Sequence, residues 1–392
     1  MGHSHSHSHG SAHDYPLPVQ TRRLLFGCVA SLMLATLIGL AILWPRGDSP
    51  ISSTADFPGG LVKAKVIDLD PICRREGEEP DVACQMVNAE LRSGNRKGEV
   101  VSFELADGVA PTPIEPGDKI VLAQATEAPE GQQFYFTDRD RGLPLVLLAG
   151  IFALAVVALG RTRGLAALAG FALSLAILTV FILPALLAGS NPLAVCIVGA
   201  AAVTLVGLYV AHGVNVKTTT ALLGTLASLL ITAALAWLFV KVGRFSGLSS
   251  EEATFLNISA SQINLEGLLL GGIIIGALGV LDDVTITQTS AVWELRNANP
   301  ELDAPDLYRS ALRIGRDHIA STVNTLVLAY AGASLPLLIL FSVGGLGMGD
   351  VLNGEVVAEE VVRTLVGSIG LVASVPITTA MAAWIVTRRE AG

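Results

Sequence analysis

The chain has 392 residues, of which 52% are hydrophobic and 15% charged, with 40 glycines. That composition excludes a single water-soluble globule, and glycine is over-used where helices pack in lipid. A net charge of −9 with no basic stripe excludes nucleic acid as a partner, because nothing is placed to neutralise phosphates.

Residues 1–21 form an expected disordered cytoplasmic tail. It carries His3, His5, His7 and His9 in alternation with serine, a polar tract with weak metal affinity. Metal handling and a tail without a specific role both remain open for it. Leu24 to Trp44 is a continuous run of apolar or small residues behind Arg22 and Arg23. It is long enough for a hydrocarbon core of about 30 Å and is oriented by its arginines with the N-terminus inside. A first transmembrane helix is therefore expected over residues 22–45. The run is too long for the core of a cleaved signal, and no Ala-x-Ala site follows.

Residues 46–141 change character. Short alternating runs at Leu61–Ile67, Ala83–Leu91, Val100–Leu105, Lys119–Ala123 and Gln133–Phe136 are separated by Ser93-Gly94-Asn95, Lys97-Gly98 and Pro116-Gly117-Asp118. Such punctuation predicts five short strands, hence a small all-β, OB-like barrel lying outside the cytoplasm. Cys73 and Cys84 fall in this segment, and an oxidising compartment favours a disulfide between them. Unpaired thiols or a labile metal pair are the alternatives.

Seven further apolar spans follow, near 143–160, 164–188, 192–212, 219–240, 266–290, 319–341 and 361–386. The expected architecture is an α-helical polytopic membrane protein with eight transmembrane helices and the β domain between the first and second. Residues 142–388 make the seven-helix part and 389–392 a short tail. Arg161, Arg163, Lys217, Arg296, Arg309, Arg313, Arg316, Arg388 and Arg389 fall on the side of the N-terminus under this count, as the positive-inside rule requires. Residues 292–318 read as an amphipathic cytoplasmic linker, with Leu307, Ala311 and Ile314 on one face and Arg309, Arg313 and Arg316 on another.

The sixth span holds two adjacent carboxylates, Asp282 and Asp283. Each costs about 2.5–3.5 kcal/mol near a helix centre, while Leu, Ile and Val offset about 0.3–0.6 each. The twelve such residues from Leu265 to Ile286 therefore nearly cancel the pair, and the helix needs neighbours, water or a protonated carboxyl. Gly272, Gly276, Gly279, Asp283, Thr287 and Ser290 share one stripe, which predicts close helix packing and aims Asp283 at a protein interface. Asp282 is turned about 100° away. A second stripe, Ser321, Asn324, Thr325, Leu328 and Gly332, supplies the expected partners Asn324 and Thr325. Intramembrane carboxylates are functional by default, so Asp283, Asp282, Asn324, Thr325 and Thr287 are the expected proton- or cation-coupling set. A structural hydrogen-bond cluster is the alternative.

Gly276-Ala277-Leu278-Gly279-Val280-Leu281-Asp282-Asp283-Val284, Gly315-Arg316-Asp317, and the run from Asn324 to Gly332 closing on Leu335-Pro336 resemble the YibE/F family of bacterial membrane proteins. Asn215-Val216-Lys217-Thr218-Thr219 with Gly224-Thr225 matches as well, and the likeness extends from about residue 60 to the end. It implies a multi-pass helical fold in the bacterial cell (inner) membrane and no settled activity, while the loop charges lead us to expect both termini in the cytoplasm. It also implies one acidic residue after the Gly-Ala-Leu-Gly site, a place Asp283 fills, with Asp282 a variation. In layout alone the chain is similar to half of an RND-type permease or a Sec accessory export protein, which couple proton flow through an intramembrane Asp.

The expected function is proton- or cation-coupled membrane transport, the alternative a non-transporting scaffold or sensor whose outer domain binds an envelope partner. No HExxH, GxSxG or Cys/His cluster occurs, so neither an enzyme nor a cofactor is expected. Partners are the lipid bilayer, an unidentified small solute, ion or envelope protein, and a second copy of the chain in a homo-oligomer.

Overall fold

The computed structural model describes residues 18–46, 60–70, 84–106, 113–125, 128–129, 133–259, 263–345 and 347–388. The histidine tract, Cys73 and the last four residues lie outside these. The chain divides into two compact units, Ile51–Leu159 and the remainder, Met1–Pro50 with Gly160–Gly392.

The first unit is built on five strands, β1 (Leu61–Asp70), β2 (Cys84–Leu91), β3 (Val100–Ala106), β4 (Lys119–Gln124) and β5 (Phe134–Arg139). They form one antiparallel sheet in the order β3-β2-β1-β4-β5. Alternation explains it: Val62, Ala64 and Val66 of β1 are buried, while Lys63 and Lys65 face out. Val87, Phe103, Ile120 and Leu122 complete the core on the concave side. The sheet curls enough for its edge strands β3 and β5 to approach each other, and irregular pairings at Val66/Asp68 and Val121/Leu122 help it bend. Gly94 turns at φ +84 where a Cβ would meet Val62 Cγ1, so only glycine fits there.

Three ion pairs stitch the far edge: Arg139 to Asp118 at 3.1 Å, Lys63 to Asp140 at 3.0 Å, and Arg141 to Asp138 at 2.7 Å. Hydrogen bonds from Arg141 and from Lys63 hold the carboxyls of Asp138 and Asp140, respectively, below the ordinary carboxylate range. A carboxyl depressed by folding stabilises above its unfolded pKa and loses that contribution as pH falls through the folded value. Amide exchange across β4 and β5 in the full-length protein, corrected for intrinsic rates, is expected to accelerate below about pH 4. Asp140→Asn should flatten that dependence.

The helices are α1 (Val19–Leu43), α2 (Gly142–Ile177), a π-turn (Leu178–Ile182) leading into α3 (Leu183–Leu187), α4 (Pro192–His212), α5 (Val216–Gly243), α6 (Glu251–Ser259), α7 (Leu265–Ala298), α8 (Ala304–Ala333), α9 (Leu335–Val343), α10 (Met348–Asn353) and α11 (Glu355–Val386). Among the described residues six helical stretches are long and apolar enough to cross a membrane, or seven if α8 and α9, bent by 60°, make one broken span. The expected spans 143–160 and 164–188 run here as one stretch, Gly142–Leu187, of 46 residues. At about 1.5 Å per residue that is more than twice a hydrocarbon core. It is interrupted at Arg161, whose φ of 51° and ψ of −125° leave the helical region.

In the second unit α5, α7 and α11 pack mutually, with α4 against α7 and α8 against α11. Asparagines start three of these helices: Asn191, Asn215 and Asn264 each accept from the backbone N–H three residues on, at 3.1, 2.8 and 2.9 Å. The separate cytoplasmic linker helix expected at 292–318 is not there. Trp293 to Ala298 continue α7, and residues from Ala304 open α8. Leu307 and Ala311 are fully buried against Val292, Trp293, Ile385 and other core residues, while Ile314 is exposed. The apolar face that suggested a lipid-surface helix packs on protein instead.

Candidate functional site

Helices that pack in lipid gain little from hiding apolar side chains, so their contacts select small and hydroxyl residues. The second unit follows this rule. Thr204 of α4, Thr225, Ser228 and Thr232 of α5, Thr285 and Thr289 of α7, and Ser374, Thr378 and Thr379 of α11 are all fully buried. Most satisfy themselves locally: Thr232 donates to Ser228 O at 2.9 Å, Thr289 to Thr285 O at 2.7 Å and Thr379 to Val375 O at 2.6 Å. Others link helices. Thr225 Oγ1 and Thr285 Oγ1 lie 2.6 Å apart, and Gln288 donates to both Ala311 O and Thr379 Oγ1 at 2.8 Å.

Asp282 sits in this hydroxyl-lined core. Its carboxyl lies beside the hydroxyls of Thr225 and Thr204, its Oδ1 is buried, and that oxygen has no hydrogen-bond partner among the described residues. Thr204 Oγ1 and Thr378 Oγ1 are likewise buried without one. An ionisable group held this way in a low dielectric is expensive, and the arrangement suits a proton or a small cation arriving at the free oxygen.

The neighbouring carboxylate is elsewhere. Asp283 and Thr287 are exposed within the chain, as are Asn324 and Thr325. Thr325 donates to Ser321 O at 3.0 Å, inside its own helix. Among the described residues no hydrogen bond joins Asp283 to Asn324 or Thr325. Nor do the stripe glycines meet a neighbouring backbone. A Cβ at Gly272 or Gly279 would find nothing within 4 Å, and one at Gly276 would meet only Tyr330 Oη. The close approaches use other glycines: Gly224 against Thr378, Gly271 against Cys196 and Gly370 against Thr232. On α7 the buried face is the one through Gly271, Ile274, Leu278, Leu281 and Thr285. Of this core, Thr218 and Thr225 fell within a motif picked out in the sequence. Thr204 did not, being a single polar residue in an apolar run, while Thr285 and Gln288, within the polar stretch from Asp282 to Ser290, were passed over for Thr287 and Ser290 on the glycine stripe.

Gln288 ties α7 to α8 and α11 in one step. Replacing it with Leu roughly keeps the volume but removes the donor to Thr379 Oγ1, which still donates to Val375 O, and to one lone pair of Ala311 O. Chemical unfolding of the detergent-solubilised protein is expected to show a loss of about 1 kcal/mol.

Six or seven helical stretches among the described residues, long and apolar enough to cross a membrane and packed through small and hydroxyl side chains, mark a multi-pass helical membrane protein. The family model for YibE/F-like proteins matches residues 148–388, and the chain belongs to that family. No curated protein and no solved structure matched the chain.

Proposed function

We propose that this protein is a proton- or cation-coupled membrane transporter in which Asp282 is the titrating or cation-binding group. The observation that carries the reading is its buried, unpartnered Oδ1 among threonine hydroxyls of α4 and α5. A packing role alone would call for a satisfied side chain at this position. Thr204 and Thr225 would hold the bound species, and Thr285 would fix Thr225 in place.

The same reading takes α2 as two spans joined at Arg161 and α8–α9 as one, for eight in all. Both termini then lie in the cytoplasm of a bacterial cell, and the curled sheet is exported. Its strand order and the approach of β3 to β5 support an OB-like barrel, the part that would meet substrate or an envelope partner. The test is ion flux into liposomes containing purified protein, wild type against Asp282→Asn. Flux lost in a folded variant supports coupling. Equal flux, or a proton-tight wild type, would sink it and favour a scaffold or sensor.

A further inference from the structure

A second polar site lies at the opposite ends of these helices from Arg296 and Arg388. The loop after α5, helix α6 and the first turns of α7 and α11 border a cavity of about 680 Å³, within the range of small-molecule sites. The loop is fixed to α11 by carboxylates. Glu355 accepts from Ser246 Oγ at 2.7 Å and from Gly247 N at 3.3 Å, and Glu359 Oε2 accepts from Ser249 Oγ at 2.7 Å. Gly247, at φ +73, packs so closely on the Leu265 carbonyl that a Cβ would collide with it.

Glu359 is only 7% exposed and lines the cavity, yet its Oε1 has no hydrogen-bond partner among the described residues. Glu252, Glu360 and Arg363 also line it, Arg363 reaching Glu360 at 3.5 Å. Three carboxylates to one guanidinium favour a cation. Among the described residues no three Asp, Glu, His or Cys side chains come together as a metal-ligand set. The remaining walls are largely apolar, with Leu178, Ile182, Leu186, Leu268, Ile275 and Leu337.

We propose that this cavity binds an amphipathic organic cation, its ammonium donating to Glu359 Oε1 and its apolar body lying against the leucine and isoleucine wall. Burial strengthens the ion pair, and the carboxylate is already oriented by Ser249. The site goes beyond the coupling reading and does not depend on it.

The experiment is equilibrium binding of radiolabelled tryptamine to full-length protein in nanodiscs, with neutral tryptophol and anionic indole propionate as competitors. Saturable binding is expected, displaced by neither competitor at matched concentration and weakened about tenfold or more by Glu359→Gln. Ala253→Trp, which fills the cavity and leaves every charge in place, should weaken it similarly. That variant decides the question if Glu359→Gln fails to fold. Asp282→Asn should bind tryptamine as the wild type does, so loss of flux and loss of binding are separable. No saturable binding, equal competition by indole propionate, or affinity unchanged in Glu359→Gln and Ala253→Trp would overturn the site. Loss of binding in Asp282→Asn would move the ligand to the threonine core and overturn it as well.

Discussion

Asp282→Asn is expected to lower ion-coupled flux in proteoliposomes about a hundredfold, the scale of removing a positioned proton-transfer group. Asp283→Asn should change it less than about twofold, as an exposed side chain away from the path would. Asparagine keeps the size of the side chain and its contacts with Thr204 and Thr225 but can neither release a proton nor balance a cation. The two residues are adjacent in sequence and differ in surroundings, so the pair of variants separates position from composition. Asp282 has a buried oxygen without a partner, whereas Asp283 is exposed. The reverse result would return the coupling role to the acidic position that the family resemblance implied. Tolerance of both substitutions would leave the polar core with a structural role only.

Gly370→Ala should destabilise the helical unit by about 1–3 kcal/mol, the usual cost of overpacking. The added methyl would collide with Thr232 Oγ1, where α11 crosses α5. Gly272→Ala should do the opposite. Nothing lies within 4 Å of its Cβ position, and alanine is favoured over glycine in a helix by up to about 1 kcal/mol. Unfolding in mixed micelles measures both. Thr232→Ala in the Gly370→Ala background should recover part of the loss, because it removes the colliding hydroxyl. A neutral Gly370→Ala would mean that α5 and α11 are further apart than described.

The β unit was legible because half of each strand faces water. Period-two alternation in Val62-Lys63-Ala64-Lys65-Val66 marks both the strand and its buried face, and glycines at 94, 98 and 117 mark its turns. Helix positions were legible for a similar reason, since long apolar runs announce themselves. Helix faces were not. In α7 both sides are apolar and both carry glycine: Gly271 faces protein and Gly272 does not. Lipid and protein interior are equally apolar surroundings, so the pattern that orients a soluble helix is missing. The regular spacing of Gly272, Gly276 and Gly279 suggested the wrong side, and with it the wrong aspartate as the more buried one. Glu359 could not have been found from spacing, because its partner Ser249 lies over a hundred residues away in sequence and belongs to a different loop.

The Gln288 bridge also constrains how such a molecule can change shape. Its amide grips a carbonyl of α8 and a hydroxyl of α11 at once, and Gly315 leaves the gap through which it reaches. Sliding either helix past α7 at this level would break buried hydrogen bonds with no water to replace them. At this level the bridge therefore opposes sliding of either helix past α7. For the proposed coupling, motion at the 60° bend between α8 and α9, at Ser334, would leave the bridge intact.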